Sequence, residues 1–467
     1  MQIKFCGASR FVTGSCHLIT LDNGYTILLD CGLYQGNDKA MHNFNRQWYF
    51  DPKSIDCVVL SHAHIDHAGR LPRLVKDGFQ GEIYSTHATR SLCSIMLLDS
   101  ARIQERDAEY RNKKAKKKNK KKLVKPLYRS KHVAETMQRF CAMPYDHWFR
   151  IHPDVEIQYR DAGHILGSAS VTLKILEKGK ELLFGFTADI GRPDRPILRD
   201  PQQMPEVDFL ICESTYGNRD HESKAEETDR FLDLIRHTCL EKKGKLIIPA
   251  FSVGRTQEIV YMLDQMENQK ILPRIPVYVD SPLAVNATQI FGAHPECYDN
   301  ELNEYLLVDE NPFGFNNLLY VRDVEVSKSL NYSNEPCIII SSSGMMNAGR
   351  VRHHLYNNID NPKNTFLIVG YCSPDTPGGM LLNGIKEIKL FGDKKPVRAQ
   401  VERIESFSAH GDRYEMIEFV KNQKKLRKMF LVHGEYETQL AFRDLLQKYI
   451  TKHVEIPSLG QEFQLNH

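Results

Sequence analysis

Short apolar runs bounded by Gly, Asn, Asp or Pro recur along the first ~200 residues, the pattern of β-strands mixed with helices. YTILLD (25–30), CVVLS (57–61), EIYSTH (82–87), VEIQYRD (155–161), SVTLKIL (170–176) and ELLFGFTAD (181–189) read as strands, and segments 67–77 and 88–107 read as helices. From residue 207 the rhythm becomes strand and helix in alternation: VDFLICEST, a helix over 224–242, KLIIPA, a helix over 254–269, then PVYVDS. CIIISSSG (337–344) and NTFLIVGYC (364–372) continue it. Alternation of this kind predicts a parallel sheet covered by helices on both faces. After residue 404 come FSAHG, a helix from Asp412, MFLVHGE (429–435) and a last helix from Tyr436.

The 467 residues are 41% hydrophobic and 26% charged, which excludes a chain disordered throughout, a collagen and a coiled coil. This length predicts two or three lobes, each with its own core. No apolar run approaches the ~20 residues of a membrane-spanning helix. The first twenty residues lack the charged-then-apolar pattern of a signal peptide. The eleven cysteines are scattered, with neighbours at least ten positions apart and no CxxC pair. That usage fits a reducing cytoplasm and argues against a disulfide framework or a thiolate zinc finger.

The formal charge of +3, from 62 Lys+Arg and 59 Asp+Glu, hides two unlike parts. Residues 111–131 hold twelve Lys/Arg and no acid, so the rest of the chain has 50 basic and 59 acidic residues, a balance of −9. The string KKAKKKNKKK (113–122) should repel itself and form a mobile loop or exposed arm, with polyanion binding as its functional reading.

Candidate chemistry concentrates in SHAHIDHAG (61–69), which follows a buried-type strand and precedes a helix. His62, His64, Asp66 and His67 place four potential ligands within six residues. Such density in a core would leave polar atoms without partners unless a metal closed the set. His164 in DAGHILGS, Asp189 at the end of LLFGFTAD and His433 at the end of MFLVHGE offer further donors, each near a strand end with Gly close by. Asp30 in ILLDCG has the same setting and reads as a carboxylate that orients a ligand histidine.

These residues, in this order, resemble the four motifs of the metallo-β-lactamase superfamily, and the downstream part resembles its β-CASP branch of nucleases. Glu213 in ICESTYG, His410 in FSAHGD and His433 in LVHGE match motifs A, B and C of that branch, and PAFSVGRTQE (249–258) and SSSGMM (341–346) are similar to its typical strings. The nearest likeness is to stand-alone prokaryotic ribonucleases related to the 73-kDa endonuclease subunit of the cleavage and polyadenylation specificity factor. The resemblance covers the catalytic region, and counterparts of the KH-type and C-terminal domains of other branch members are not expected. Gly370-Tyr371-Cys372 stands where the family often has GYQ, and the Lys-rich insert at 112–125 is not a shared motif.

The resemblance implies an α/β protein: a metallo-β-lactamase αββα sandwich from 1–206 plus 405–467, with a β-CASP domain, 207–404, inserted. It implies two Zn²⁺, with Mn²⁺ also suited to such N/O donors. His62, His64 and His164 would hold one ion, Asp66, His67 and His433 the other, and Asp189 would bridge. His410 is the candidate general acid and Glu213 its orienting partner, so cleavage would leave 5′-phosphate and 3′-hydroxyl ends. His at motif C goes with RNA-processing members, so single-stranded RNA is the expected substrate. Cleavage could be internal or run from a 5′ end. Ser342, Ser343 and Gly344, with Ser252 and Arg255, are candidates for RNA phosphate, although Arg255 could instead pair with an acid of its own domain. Relatives often dimerise. The rivals are a DNA nuclease, a small-ester metallo-hydrolase and a non-catalytic RNA-binding subunit.

Overall fold

The computed structural model describes residues 1–36, 41, 43–117, 123–221, 227–370, 372–404 and 409–465. The second half of the lysine string (118–122), Tyr371 of the GYC string, and Phe407 and Ser408 of FSAHG lie outside the described residues. The chain packs as two units, Met1–Asp220 with His410–His467, and His221–Ala409.

Two seven-stranded sheets build the first unit. In one, Gln2–Phe5, His17–Thr20 and Thr26–Leu29 run antiparallel, and Cys57–Val59, Glu82–Thr86 and Phe140–Met143 continue it in parallel. In the other, Phe149–His152, Val155–Asp161, Ala169–Glu177 and Lys180–Phe186 run antiparallel, then Phe209–Glu213 and Lys428–Val432 add in parallel. Side chains from both sheets, among them Phe5, Ile27, Val59, Tyr159, Leu173, Phe184 and Phe430, form one shared core. Helices Arg413–Val420 and Tyr436–Tyr449 cover the outer face of the second sheet through Met416, Phe419 and Phe442. This is the expected αββα sandwich.

The chain leaves this unit later than the expected residue 207. Phe209–Glu213 pairs with Lys428–Val432 over five residues, from Phe209↔Lys428 to Glu213↔Val432, so it is a strand of the first unit and not the opening strand of the inserted one. The helix expected over 67–77 is two pieces, Ile65–Ala68 and Leu71–Lys76. Pro72, with no N–H to donate, fits the first turn of a new helix but not the interior of an old one. The helix expected over 88–107 runs from His87 to Lys117, so residues 113–117 of the basic string are helical and not loop. Lys and Ala are strong helix formers, and cations suit the negative end of the helix dipole.

Among the described residues, six parallel strands form the larger sheet of the second unit, in the order Leu318–Tyr320, Val277–Val279, Cys337–Ser341, Lys245–Pro249, Thr365–Ile368 and Gln400–Arg403. The central strands are buried on both faces, as continuous apolar runs in parallel sheets require.

Candidate metal centre

Parallel strands deliver the site. Cys57–Val59 ends just before Ser61 and His62; His64 caps the helix Ile65–Ala68, whose first turns carry Asp66 and His67. Asp30 follows the neighbouring strand, His164 the strand Val155–Asp161, Asp189 the strand Lys180–Phe186, and His433 the strand Lys428–Val432. Asp30 (φ 58°), Ala188 (φ 50°) and His433 (φ 54°) hold left-handed backbone conformations at three of these strand ends. Such conformations cost about 1–3 kcal/mol each and persist where the surroundings impose them. Gly32 and Gly191 allow the close approach: a Cβ on Gly32 would lie 1.6 Å from the Asp66 carbonyl, and one on Gly191 1.9 Å from the Gly163 carbonyl beside His164.

The donor atoms converge into two adjoining groups, with Asp189 in the first and 3.2 Å from His67 of the second, and Asp189 forms a third group with Glu213 and His410. His62, His64, His164 and Asp189 each offer an atom within 4.8 Å of the others, as do Asp66, His67 and His433. His62 Nε2 and His164 Nε2 lie 3.1 and 3.2 Å from His64 Nδ1, and 3.5 and 3.4 Å from Asp189 Oδ2. His67 Nε2 lies 3.1 Å from His433 Nε2 and 3.2 Å from Asp189 Oδ1; His433 Nε2 lies 3.4 Å from Asp66 Oδ2. A tetrahedral shell with bonds of ~2.0–2.1 Å has ligand–ligand edges of about 3.3–3.4 Å, close to the 3.1–3.5 Å separations in the two groups. Asp189 Oδ1 is buried and accepts no hydrogen bond among the described residues. Imidazole and carboxylate are donors that zinc takes, so the residues fit a pair of divalent ions.

Outer groups aim the rings. Asp30 Oδ2 lies 2.7 Å from His67 Nδ1, and the same carboxylate accepts the Ser61 N–H and the hydroxyls of Ser61 and Ser15. Ser61 Oγ is 3.0 Å from His62 Nδ1, and Thr215 Oγ1 is 3.0 Å from His433 Nδ1. In each case the other ring nitrogen faces the cluster. Sequence reasoning missed Ser61 and Thr215 as orienting groups; their only signal was adjacency to His62 and to the Glu213 string.

His410 completes the wall. Its Nδ1 is 3.2 Å from Glu213 Oε1, its Nε2 is 3.8 Å from Asp189 Oδ2, and its ring packs against His164 at 4.5 Å between centroids. Burial opposes the charge on His410, but Glu213 and Asp189 outweigh it and raise its pKa to about 9. Burial likewise disfavours the Asp189 carboxylate, yet the surrounding His433, His67 and His410 hold its pKa well below the usual range. Glu213 also accepts the backbone N–H groups of Ile190 and Thr215, which fixes its orientation.

The candidate phosphate residues all fall in the second unit. Ser342 Oγ donates to Ser281 Oγ at 2.9 Å, and Ser252 Oγ lies 3.2 Å from that same hydroxyl, so three serines meet at the ends of three parallel strands. Ser343 bonds Asn347, Gly344 packs against Phe251, and Arg255 is ion-paired with Glu258.

A family model of the metallo-beta-lactamase superfamily matches residues 9–121, one of the Beta-Casp domain matches 256–381, and one of a Zn-dependent metallo-hydrolase RNA specificity domain matches 394–457. The chain is 33% identical to Ribonuclease TTHA0252 of Thermus thermophilus, over 96% of each chain. It is 31% identical to transcription termination factor FttA of Methanosarcina mazei, over 93% of this chain and 67% of that protein. An RNase J-like protein of Methanocaldococcus jannaschii is 30% identical over 98% of each.

Proposed function

This chain belongs to the β-CASP ribonucleases of the metallo-β-lactamase superfamily, and from that premise we propose that it cleaves single-stranded RNA at two zinc ions, leaving 5′-phosphate and 3′-hydroxyl ends. It is a hydrolytic nuclease, and RNA is its substrate. Cleavage is internal, with 5′-to-3′ trimming as a second mode. The observation that carries this reading is the convergence of five imidazoles with Asp66 and Asp189 in two adjoining donor groups.

In this proposal His62, His64 and His164 would hold one ion, Asp66, His67 and His433 would hold the other, and Asp189 would serve both; Mn²⁺ is the alternative metal. Ions so bound polarise phosphoryl oxygens and lower the pKa of a water toward ~7. Asp30 accepts the His67 Nδ1 proton and leaves Nε2 free to ligate. His410 presents Nε2 toward Asp189 and donates the proton that the departing 3′-oxygen requires. Glu213 accepts from His410 Nδ1 and keeps that tautomer. Ser342, Ser343 and Gly344 receive RNA phosphate, with Ser252 beside them; Arg255 serves mainly its pair with Glu258. We also read the protein as cytoplasmic, from its cysteine usage, and as a homodimer, from the habit of its family.

End-labelled RNA, the matching DNA and a generic ester, each given to the zinc-loaded protein, test the reading. RNA should be cut, with 5′-phosphate products, and the other two left intact. His410→Ala should lower kcat by about 10²–10⁴-fold with both metals retained. Ester hydrolysis without RNA cleavage would overturn the proposal, and metal loss in step with activity would make His410 a ligand instead.

A further inference from the structure

The helix His87–Lys117 begins beside the metal centre and ends far from it. The hydroxyls of Thr86 and Thr89 donate to the Gly167 carbonyl, in the loop that bears His164, at 2.6 and 2.7 Å. Its 31 residues at ~1.5 Å each span about 45 Å. At the distal end Arg111, Lys113, Lys114, Lys116 and Lys117 are all exposed, and Tyr110 is 68% exposed. Lys113, Lys114 and Lys117 follow Tyr110 by three, four and seven positions, so they share its face of the helix.

The return segment is pinned to this end. The Asn112 side chain donates to the Val124 carbonyl and accepts its N–H, at 3.0 and 2.8 Å. Lys76 Nζ reaches the Leu127 carbonyl, Leu127 N donates to Gln104, and the buried Tyr128 donates to Ser100. Ser130 engages Glu105, which withdraws that acid from the patch, while Asp107 and Glu109 stay exposed one turn earlier. Lys125 adds a further exposed cation. Residues 110–117 and 123–125 contain six Lys/Arg and no acid. Helix propensity explains the lysines, but it does not explain an aromatic ring left in water among them. Cations tracking a backbone, with an open aromatic face for a base, are what single-stranded nucleic acid requires.

We propose that this helix end is a second RNA-binding surface, in which Lys113, Lys114, Lys116 and Lys117 contact phosphates and Tyr110 stacks a base. It rests on the ribonuclease reading for its purpose: it holds long RNA a helix length from the His164 loop, and so lowers KM for long substrates without entering the chemistry.

The test uses zinc-loaded wild type, Tyr110→Ala, and a variant with all four lysines changed to Ala, a residue the helix tolerates. Anisotropy of a labelled RNA of about 40 nucleotides with phosphorothioate linkages, across a salt series, should show the four-lysine variant binding with a log–log slope about 3 units shallower. Tyr110→Ala should weaken the single strand by about 5-fold or more and leave a duplex unaffected. KM on long RNA should rise in both variants, with kcat and turnover of ~10-nucleotide RNA unchanged. Unaltered affinity and slope in the four-lysine variant would overturn the proposal. So would a silent Tyr110→Ala with equal losses on duplex and single strand, which would mark a duplex or general polyanion surface. Should the wild type cut no RNA at all, the hydrolytic reading would fall while the anisotropy series still decided this one.

Discussion

Each unit buries a histidine–aspartate cluster, and the two are closed by different means. In the second unit Asp280 and His354 are both fully buried. Asp280 accepts from Ser327 and Arg350 at 2.6 Å each and pairs with His354 Nε2 at 2.7 Å, while His354 Nδ1 meets Asn331 at 2.9 Å. Every polar atom named there faces a complementary one. In the first unit the ring nitrogens of His62, His64 and His164 face one another, as do those of His67 and His433, and a buried Asp189 oxygen has no donor among the described residues. Imidazole nitrogens and carboxylate oxygens aimed at one another in this way make a donor set compatible with a metal ion. The contrast separates a polar core closed by hydrogen bonds among its own groups from one whose donors suit a metal. Counting His and Asp residues would not distinguish them.

The largest effect should come from breaking the open cluster at Asp189. Asp189→Asn keeps the volume and removes the charge that sits among His62, His64 and His164 and within 3.2 and 3.6 Å of His67 and His433. Metal content measured by plasma mass spectrometry should fall, and RNA turnover should drop by about 10⁴-fold or more, equivalent to several kcal/mol of lost charge stabilisation. Full zinc occupancy in this variant would remove Asp189 from the ligand set.

The closed cluster should respond in stability and not in metal. Asp280→Ala leaves His354 and Arg350 without their carboxylate. Breaking a buried pair in this way costs about 3–5 kcal/mol, to be read from urea unfolding of the second unit, with zinc content unchanged. A loss of zinc here would mean that the two clusters are not the different things their hydrogen bonding makes them.

The gathering of the first unit's donors was legible because HxHxDH packs four potential ligands into six residues, and because His164, Asp189 and His433 each stand near a strand end. The orienting hydroxyls were not legible. Thr215 reaches His433 across 218 residues, and a threonine after a strand is common in any sheet protein. The same limit explains the strand Phe209–Glu213: its apolar pattern predicted a strand, but its partner Lys428–Val432 lies over 200 residues away, and no local pattern records which sheet it joins. Pro72 stood in plain view within the expected 67–77 helix and should have divided it. At Lys113–Lys117 charge repulsion argued for a loop, yet solvent screening leaves each pair only a small penalty and the helix continues.

A third buried carboxylate extends the comparison with the smallest expected effect. Asp264, like Asp280, is almost inaccessible, but the group that donates to it is neutral, the Tyr305 hydroxyl at 2.6 Å. Burial therefore dominates and raises its pKa to about 6, with Asp309 and Glu267 adding to the rise against the hydrogen bond from Tyr305. Asp280 is buried too, yet the hydrogen bonds of His354 and Ser327, together with the adjacent charge, outweigh desolvation and lower its pKa. A carboxylate whose folded pKa lies above its unfolded value of about 3.9 holds its proton more tightly when folded. Its contribution to stability is greatest below that unfolded value and declines as pH rises toward 6. Asp264→Asn retains an acceptor for Tyr305 and carries no charge, so it should lose this dependence. Between pH 4 and pH 7 the wild type should fall relative to the variant by on the order of 1–3 kcal/mol, measured as the difference between their urea midpoints. Parallel stability curves for the two proteins would show that a neutral hydroxyl closes a buried carboxylate as well as an arginine and a histidine do, and the distinction between open and closed clusters would then rest on geometry alone.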